Sequence, residues 1–176
     1  NRVSESHFAP TTGYGYSDRG RETLDRVFAQ IMGCDDALVR HNFVSGTHAI
    51  TTALFGLLRP GDVMLSVTGK PYDTLDEVIG LRGSGRGSLK DFGVIYRQVD
   101  LKPDGGVDLK KIEKEVKGVR IAYIQRSRGY TLRPSLTVAQ IGEIAKLVKE
   151  LSPETLVVVD NCYGEFVQHH EPTQMG

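Results

Sequence analysis

Cysteine is scarce in this sequence: Cys34 and Cys162 are the two in 176 residues, and they form neither a CxxC pair nor a zinc-ligand cluster. A disulfide scaffold is thereby excluded, and two thiols in a chain of this length fit the reducing conditions of the cytoplasm. Long hydrophobic runs are missing too. No segment approaches the roughly 18 apolar residues of a membrane helix, and the stretch from Asn1 to His7 lacks the apolar core of a secretory signal. Neither membrane insertion nor export is expected. Charge of one sign is not in excess, because 22 Lys and Arg balance 22 Asp and Glu. Without a basic surplus to displace counterions from a phosphate backbone, nucleic acid is not an expected partner. Near-zero net charge also offers little repulsion against association of copies. What is present is ordinary globular composition, 39% hydrophobic and 25% charged, in a chain long enough for one sizeable core.

From Ala37 onward, short apolar runs alternate with amphipathic stretches. Val63 to Val67, Gly93 to Tyr96, Val119 to Ile124 and Leu156 to Val159 are short, apolar and mostly β-branched, which predicts strands buried on both faces. Between them, Thr47 to Leu58, Thr74 to Gly80, Leu109 to Val116 and Val138 to Leu151 carry helical spacing, with Ile141, Ile144, Ala145 and Val148 on one stripe. The alternation implies an α/β fold, a mainly parallel sheet with helices on both faces. The turn sequences Arg59-Pro60-Gly61-Asp62 and Lys102-Pro103-Asp104-Gly105-Gly106 fall between elements, and the glycine-rich Arg82 to Ser88 reads as an exposed loop. Residues 1–36 form an N-terminal segment whose helix, Asp18 to Met32, precedes a sheet domain of residues 37–176.

Three strand ends carry candidate chemistry. In Phe43-Val44-Ser45-Gly46-Thr47-His48-Ala49-Ile50 a short apolar approach turns into an apolar-periodic helix. Free backbone amides and the positive end of the helix dipole meet there, Gly46 lets an anion approach, and the Ser45 and Thr47 hydroxyls can donate; the competing reading is a plain N-cap. Asp160 ends the run Leu156-Val157-Val158-Val159, where ligands of open α/β sheets collect, although an Asx-turn would use the same residue. Tyr72, in Thr68-Gly69-Lys70-Pro71-Tyr72, can stack on a planar ligand or be a half-buried surface ring. Lys70 reads as a loop cation. Arg126 and Arg128 lie just beyond a strand and can meet a substrate carboxylate. Nucleotide fingerprints are missing, since neither GxGxxG between strand and helix nor GxxxxGK[ST] occurs, and His169-His170-Glu171 has no HExxH spacing, so no metal is expected.

A phosphate cradle, an aromatic platform and a carboxylate, in that order along the chain, suit one cofactor. At these residues the chain resembles the fold-type I pyridoxal-phosphate enzymes, specifically the aluminium-resistance or methionine-gamma-lyase-like branch of the cysteine/methionine-metabolism superfamily. The carriers are His7-Phe8-Ala9-Pro10-Thr11-Thr12-Gly13-Tyr14-Gly15-Tyr16, Val44 to Ile50, Gln125-Arg126-Ser127-Arg128-Gly129-Tyr130 and Val159-Asp160-Asn161-Cys162-Tyr163-Gly164-Glu165-Phe166, and the likeness spans essentially the whole chain.

The resemblance implies that Ser45, Gly46 and Thr47 hold the pyridoxal 5'-phosphate phosphate, Tyr72 stacks on the ring, and Asp160 bonds the ring nitrogen. It also implies that Tyr14 or Tyr16, with Arg19, reaches the cofactor phosphate of a neighbouring subunit in a homodimer or homotetramer. The spacing departs from the family's Tyr-Ser-Arg pattern, because Asp18 separates Ser17 from Arg19. The implied activity is a carbon–sulfur lyase eliminating at the β or γ position of a sulfur amino acid such as cystathionine or methionine. The family's Schiff-base lysine follows the aspartate, and no lysine occurs after Asp160. The chain is therefore expected to be the middle of a longer protein and inactive alone. The alternatives are a non-catalytic α/β binding or scaffold module and another reaction of the same cofactor, such as transamination.

Overall fold

Each apolar run between turn sequences becomes a strand, and each amphipathic stretch covers the sheet those strands build. The computed structural model describes residues 2–12, 14–83 and 85–176, so Asn1, Gly13 of the N-terminal motif and Ser84 of the glycine-rich loop lie outside the described residues. The chain divides into two compact units, Asn1–Val44 and Ser45–Gly176.

The first unit is built on α1 (Arg19–Met32), capped by Asp18, whose carboxylate accepts from the Arg21 amide at 3.0 Å, and closed by Gly33 in the left-handed region. Asp25 on this helix accepts from the Val39 amide at 2.8 Å and from Arg40 at 2.6 Å, which ties the following segment to it.

The second unit holds α2 (Gly46–Leu57), β1 (Val63–Ser66), α3 (Leu75–Ile79), β2 (Ile95–Gln98), α4 (Leu109–Glu115), β3 (Ile121–Gln125), α5 (Val138–Leu151) and β4 (Leu156–Asp160). The strands form one sheet in the order β2-β1-β3-β4, every pair parallel. Side chains alternate across it. Leu65, Ala122 and Ile124 face one way and pack with Ile112, Ile141, Ile144 and Val148, so α4 and α5 cover that face. Met64, Ile121 and Tyr123 face the other way and pack with Leu54, Leu75 and Ile79, so α2 and α3 cover the second face. All of β3 is buried, which explains its continuous apolar sequence.

Two strands start later than their apolar runs. β2 begins at Ile95 rather than Gly93, because Gly93 (φ +80) closes a turn onto the Lys90 carbonyl and Val94 bonds to Leu89, so the ladder starts with Ile95 donating to Asp62. β3 begins at Ile121 because the Val119 amide is spent on a turn to Val116, and it runs on to Gln125, in register with Asp160. The described residues of the glycine-rich loop are exposed apart from the half-buried Ser88.

Ile144 is 1% exposed between α5 and the sheet. Ile144→Ala should therefore cost about 2–5 kcal/mol of unfolding free energy in a urea titration, whereas the exposed Lys146→Ala should change it by no more than about 0.5 kcal/mol.

Candidate active site

The alternation that builds the core also aims Asp160. It shares a face with Leu156 and Val158, the face covered by α2 and α3, and stands in register with Gln125. Its carboxylate accepts from the Cys162 amide at 3.2 Å and from the Tyr123 hydroxyl at 3.4 Å. No lysine, arginine or histidine pairs with it among the described residues. Burial, with a smaller contribution from Glu165, pushes its carboxyl above the usual range, and the Cys162 and Tyr123 bonds pull against that. Burial also raises the Tyr123 hydroxyl and the Cys162 thiol, so both stay protonated at neutral pH.

The N-terminus of α2 opens onto the same space. Ser45 caps the helix by accepting from the His48 amide at 3.1 Å and keeps its own O–H to donate. The first amides of a helix have no partner within it, and a Cβ built on Gly46 meets no heavy atom within 4 Å, so an anion can approach the backbone there. The Thr47 and Thr74 hydroxyls lie 2.8 Å apart. Gly46, Thr47, Tyr72 and Asp160 thus line one cavity of about 810 Å³, with Arg126 to Tyr130 and Cys162 to Gly164 completing its walls. Tyr72 packs against Tyr130, ring centroids 5.6 Å apart and planes tilted by 37°. The Tyr130 hydroxyl beside it, then burial, push the Tyr72 hydroxyl up to about 12.

Four cations stand at these strand ends, and the structure separates their roles. Arg126 is 4% exposed, and each guanidinium nitrogen is engaged: Nε with the Leu136 carbonyl at 3.3 Å, Nη1 with Asn161 Oδ1 and the Gly164 carbonyl at 2.7 Å, Nη2 with Gln168 at 3.1 Å. Glu171 supports it at 3.8 Å. Arg126 is therefore part of the framework that holds the loop after β4, while it also lines the cavity.

Arg133, not singled out by the sequence, donates to the carbonyls of Thr68 at 3.3 Å, Gln125 at 3.1 Å and Ser127, tying two strand ends to the Tyr130 loop. Lys70 is no free loop cation, because it pairs at 2.7 Å with Asp76, which is 3% exposed, and so anchors the segment carrying Tyr72. Arg128 alone of the four is exposed with no side-chain partner among the described residues. Tyr16 and Arg19 lie exposed in the first unit, where Arg19 donates to Ser6 Oγ at 2.9 Å.

In the tail, Glu171 is 5% exposed and accepts from the Phe166 amide at 2.7 Å and Asn161 Nδ2 at 3.0 Å. Among the described residues, no group of three or more His, Cys, Asp or Glu side chains is placed to hold a metal ion.

A parallel sheet covered on both faces, with a helix N-terminus and a carboxylate converging on one cavity at the strand ends, is an α/β scaffold of the kind that binds ligands at its strand ends. The methionine gamma-lyase family model matches residues 1–176, and the chain belongs to that family. It is 49% identical to the uncharacterized protein YnbB of Bacillus subtilis over 178 residues, covering 100% of this chain and 42% of that protein. It is 29% identical to the L-methionine gamma-lyase of Pseudomonas putida over 155 residues, covering 86% of this chain and 34% of that one.

Among solved structures, a Listeria monocytogenes protein described as a candidate cystathionine beta-lyase involved in aluminium resistance superposes with a TM-score of 0.94 at 52% identity, over 99% of this chain and 43% of that one. A carbon-sulfur lyase involved in aluminium resistance from Clostridium novyi gives 0.93 at 50% identity, over 99% and 42%. The chain thus spans less than half the length of these relatives. Their names mark a carbon–sulfur lyase family, and methionine gamma-lyases depend on pyridoxal phosphate.

The raised Asp160 carboxyl has a consequence for stability. A folded-state pKa above the ordinary 3.8 means the folded chain holds that proton more tightly than the unfolded one. The associated stability is present below the unfolded pKa and is lost as pH rises through the folded pKa. Asp160→Asn removes that loss, so in thermal melts the variant should gain on the parent chain as pH rises above the ordinary 3.8 and through the raised folded value. A gap that stays constant with pH would contradict the assignment.

Proposed function

We propose that this chain is the cofactor-binding part of a pyridoxal-phosphate-dependent carbon–sulfur lyase acting on a sulfur amino acid, cystathionine or methionine, by β- or γ-elimination. The observation that carries the reading is the partly buried Asp160 carboxylate, without a cationic partner among the described residues, in the same cavity as the open N-terminus of α2. The residues fit the cofactor at both ends. Gly46 leaves its backbone open to a phosphate, and Asp160 is a carboxylate awaiting a cationic ring nitrogen.

In this reading the amides of Gly46 and Thr47 and the hydroxyls of Ser45 and Thr47 hold the phosphate. Tyr72, backed by Tyr130, packs on the ring face. Asp160 keeps the ring nitrogen protonated through charge pairing, and Tyr123 and the Cys162 amide hold that carboxylate in place. The bound cofactor supplies an electron sink for the substrate Cα. Arg128, uncommitted at the cavity wall, takes a substrate carboxylate.

Tyr16 and Arg19 serve the cofactor phosphate of a neighbouring subunit, in a cytoplasmic homodimer or homotetramer. The base that moves the Cα proton is a lysine outside these residues, since none follows Asp160 in the chain.

Asp160→Asn in the complete enzyme should lower kcat by about a hundredfold, the scale of losing one electrostatic stabiliser, while the Kd for pyridoxal phosphate, read from its absorbance, changes by less than about tenfold. Near-normal turnover by the variant overturns the role given to Asp160. The 176-residue chain alone should release no keto acid from cystathionine or methionine, and steady turnover by it would contradict the reading.

A further inference from the structure

The hydroxyls of Thr47 on α2 and Thr74 just ahead of α3 lie 2.8 Å apart, and both residues line the cavity that holds Asp160. Thr74 occupies the N-cap position of α3, where a threonine ordinarily accepts from an amide of the first turn, as Thr137 does on α5. Thr74 makes no such bond. Its backbone is already helical (φ −66°, ψ −19°), and the Leu75 and Asp76 amides are taken by the carbonyls of Tyr72 at 2.9 Å and Asp73 at 3.1 Å. The Thr74 hydroxyl turns across to the neighbouring helix instead. A threonine hydroxyl carries one hydrogen and two acceptor positions, so the pair uses one of its two hydrogens internally and keeps the other to donate. What sits beside α2 decides which one is kept. Thr47 follows Gly46 at the open helix N-terminus, where unpaired amides and the positive end of the dipole favour an anion. An anion there draws the Thr47 hydrogen, which makes Thr74 the donor and Thr47 its acceptor, and hydrogen bonds joined in such a chain strengthen one another.

We propose that Thr74 is a cofactor-positioning residue: its hydroxyl donates to Thr47, turns the Thr47 hydrogen onto the cofactor phosphate, and so couples phosphate binding to the placement of Tyr72 two residues before it. The proposal rests on the pyridoxal-phosphate reading and adds to it a residue that acts through another. The segment carrying Tyr72 is then fastened on both sides of the ring, by Lys70 on Asp76 at 2.7 Å and by Thr74 on Thr47. A ligand without a phosphate leaves the hydrogens of the pair undirected, so the contribution of Thr74 belongs to the phosphate alone.

The test compares two ligands that differ only in that phosphate, on the full-length protein, with binding read from their absorbance. Thr74 is exposed, so substitution there leaves the core intact. In Thr74→Val the Kd for pyridoxal phosphate should rise about tenfold, the scale of one charge-assisted hydrogen bond, while the Kd for pyridoxal changes by less than about twofold. Thr74→Ser, which keeps the hydroxyl, should stay within about threefold of the parent protein for both ligands. Equal weakening of both ligands in Thr74→Val overturns the proposal, because a merely structural role would produce it. An unchanged Kd for pyridoxal phosphate overturns it too, as does a serine variant as weak as the valine one. Calorimetry with inorganic phosphate separates this proposal from the cofactor reading. If neither pyridoxal ligand binds the parent protein, yet inorganic phosphate binds it about tenfold more tightly than it binds Thr74→Val, the cofactor reading has failed and the hydroxyl pair serves another phosphate compound. If inorganic phosphate binds both proteins alike, the pair has no part in anion binding and the proposal falls.

Discussion

A carboxylate held partly out of water at the end of the half-buried strand β4, with no cation paired to it among the described residues, is the constraint on which this structure turns. Asp160 is aimed by the parity of β4 and the parallel register that sets it opposite Gln125. An apolar environment penalises its charge, and the two hydrogen bonds it accepts, from Cys162 and Tyr123, offset that penalty only in part. Such a group lowers the stability of the chain carrying it at neutral pH and raises the affinity of the cavity for something positive. A site that is destabilising until filled is a common cost of function. Here the two fully covered core clusters on either face of the sheet absorb it.

The loops around the cavity are fixed by ionic groups turned inward rather than by apolar packing. Arg126 and Glu171 staple the loop after β4, Arg133 joins the ends of β1 and β3 to the segment carrying Tyr130, and the Lys70–Asp76 pair anchors the segment carrying Tyr72. Each joins residues from different elements, and Arg126 and Asn161 are 35 positions apart. Breaking one partner of such a set leaves the other without compensation, so these residues fix the loops that form the cavity walls.

Much of the framework was legible in the sequence because it depends on periodicity. The stripe Ile141, Ile144, Ala145 and Val148 is buried on α5, and the four apolar runs are the four strands of a parallel sheet with helices on both faces. The strand starts were less so. The same β-branched and apolar residues that fill a strand also fill the turn before it, and only the hydrogen bonds at Gly93 and Val119 decide where the ladder begins. The candidate residues Gly46, Thr47, Tyr72 and Asp160 lie on one cavity, as their shared position at strand ends implies.

What sequence could not rank were the cations. Arg126 and Arg128 are two residues apart with identical side chains, yet one is buried in a network and the other is exposed, with no side-chain partner among the described residues, a difference set by Leu136, Asn161, Gly164 and Gln168. The partners of Lys70 and Glu171, which are Asp76, Phe166 and Asn161, are likewise found only once the chain has folded. The central claim, that the helix N-terminus and Asp160 grip the two ends of one ring, is tested most directly by a crystal structure of the complete protein with pyridoxal phosphate. The account requires the phosphate on the amides of Gly46 and Thr47, the ring against Tyr72 and its nitrogen on Asp160. A phosphate bound elsewhere, or a ring nitrogen facing away from Asp160, would contradict it.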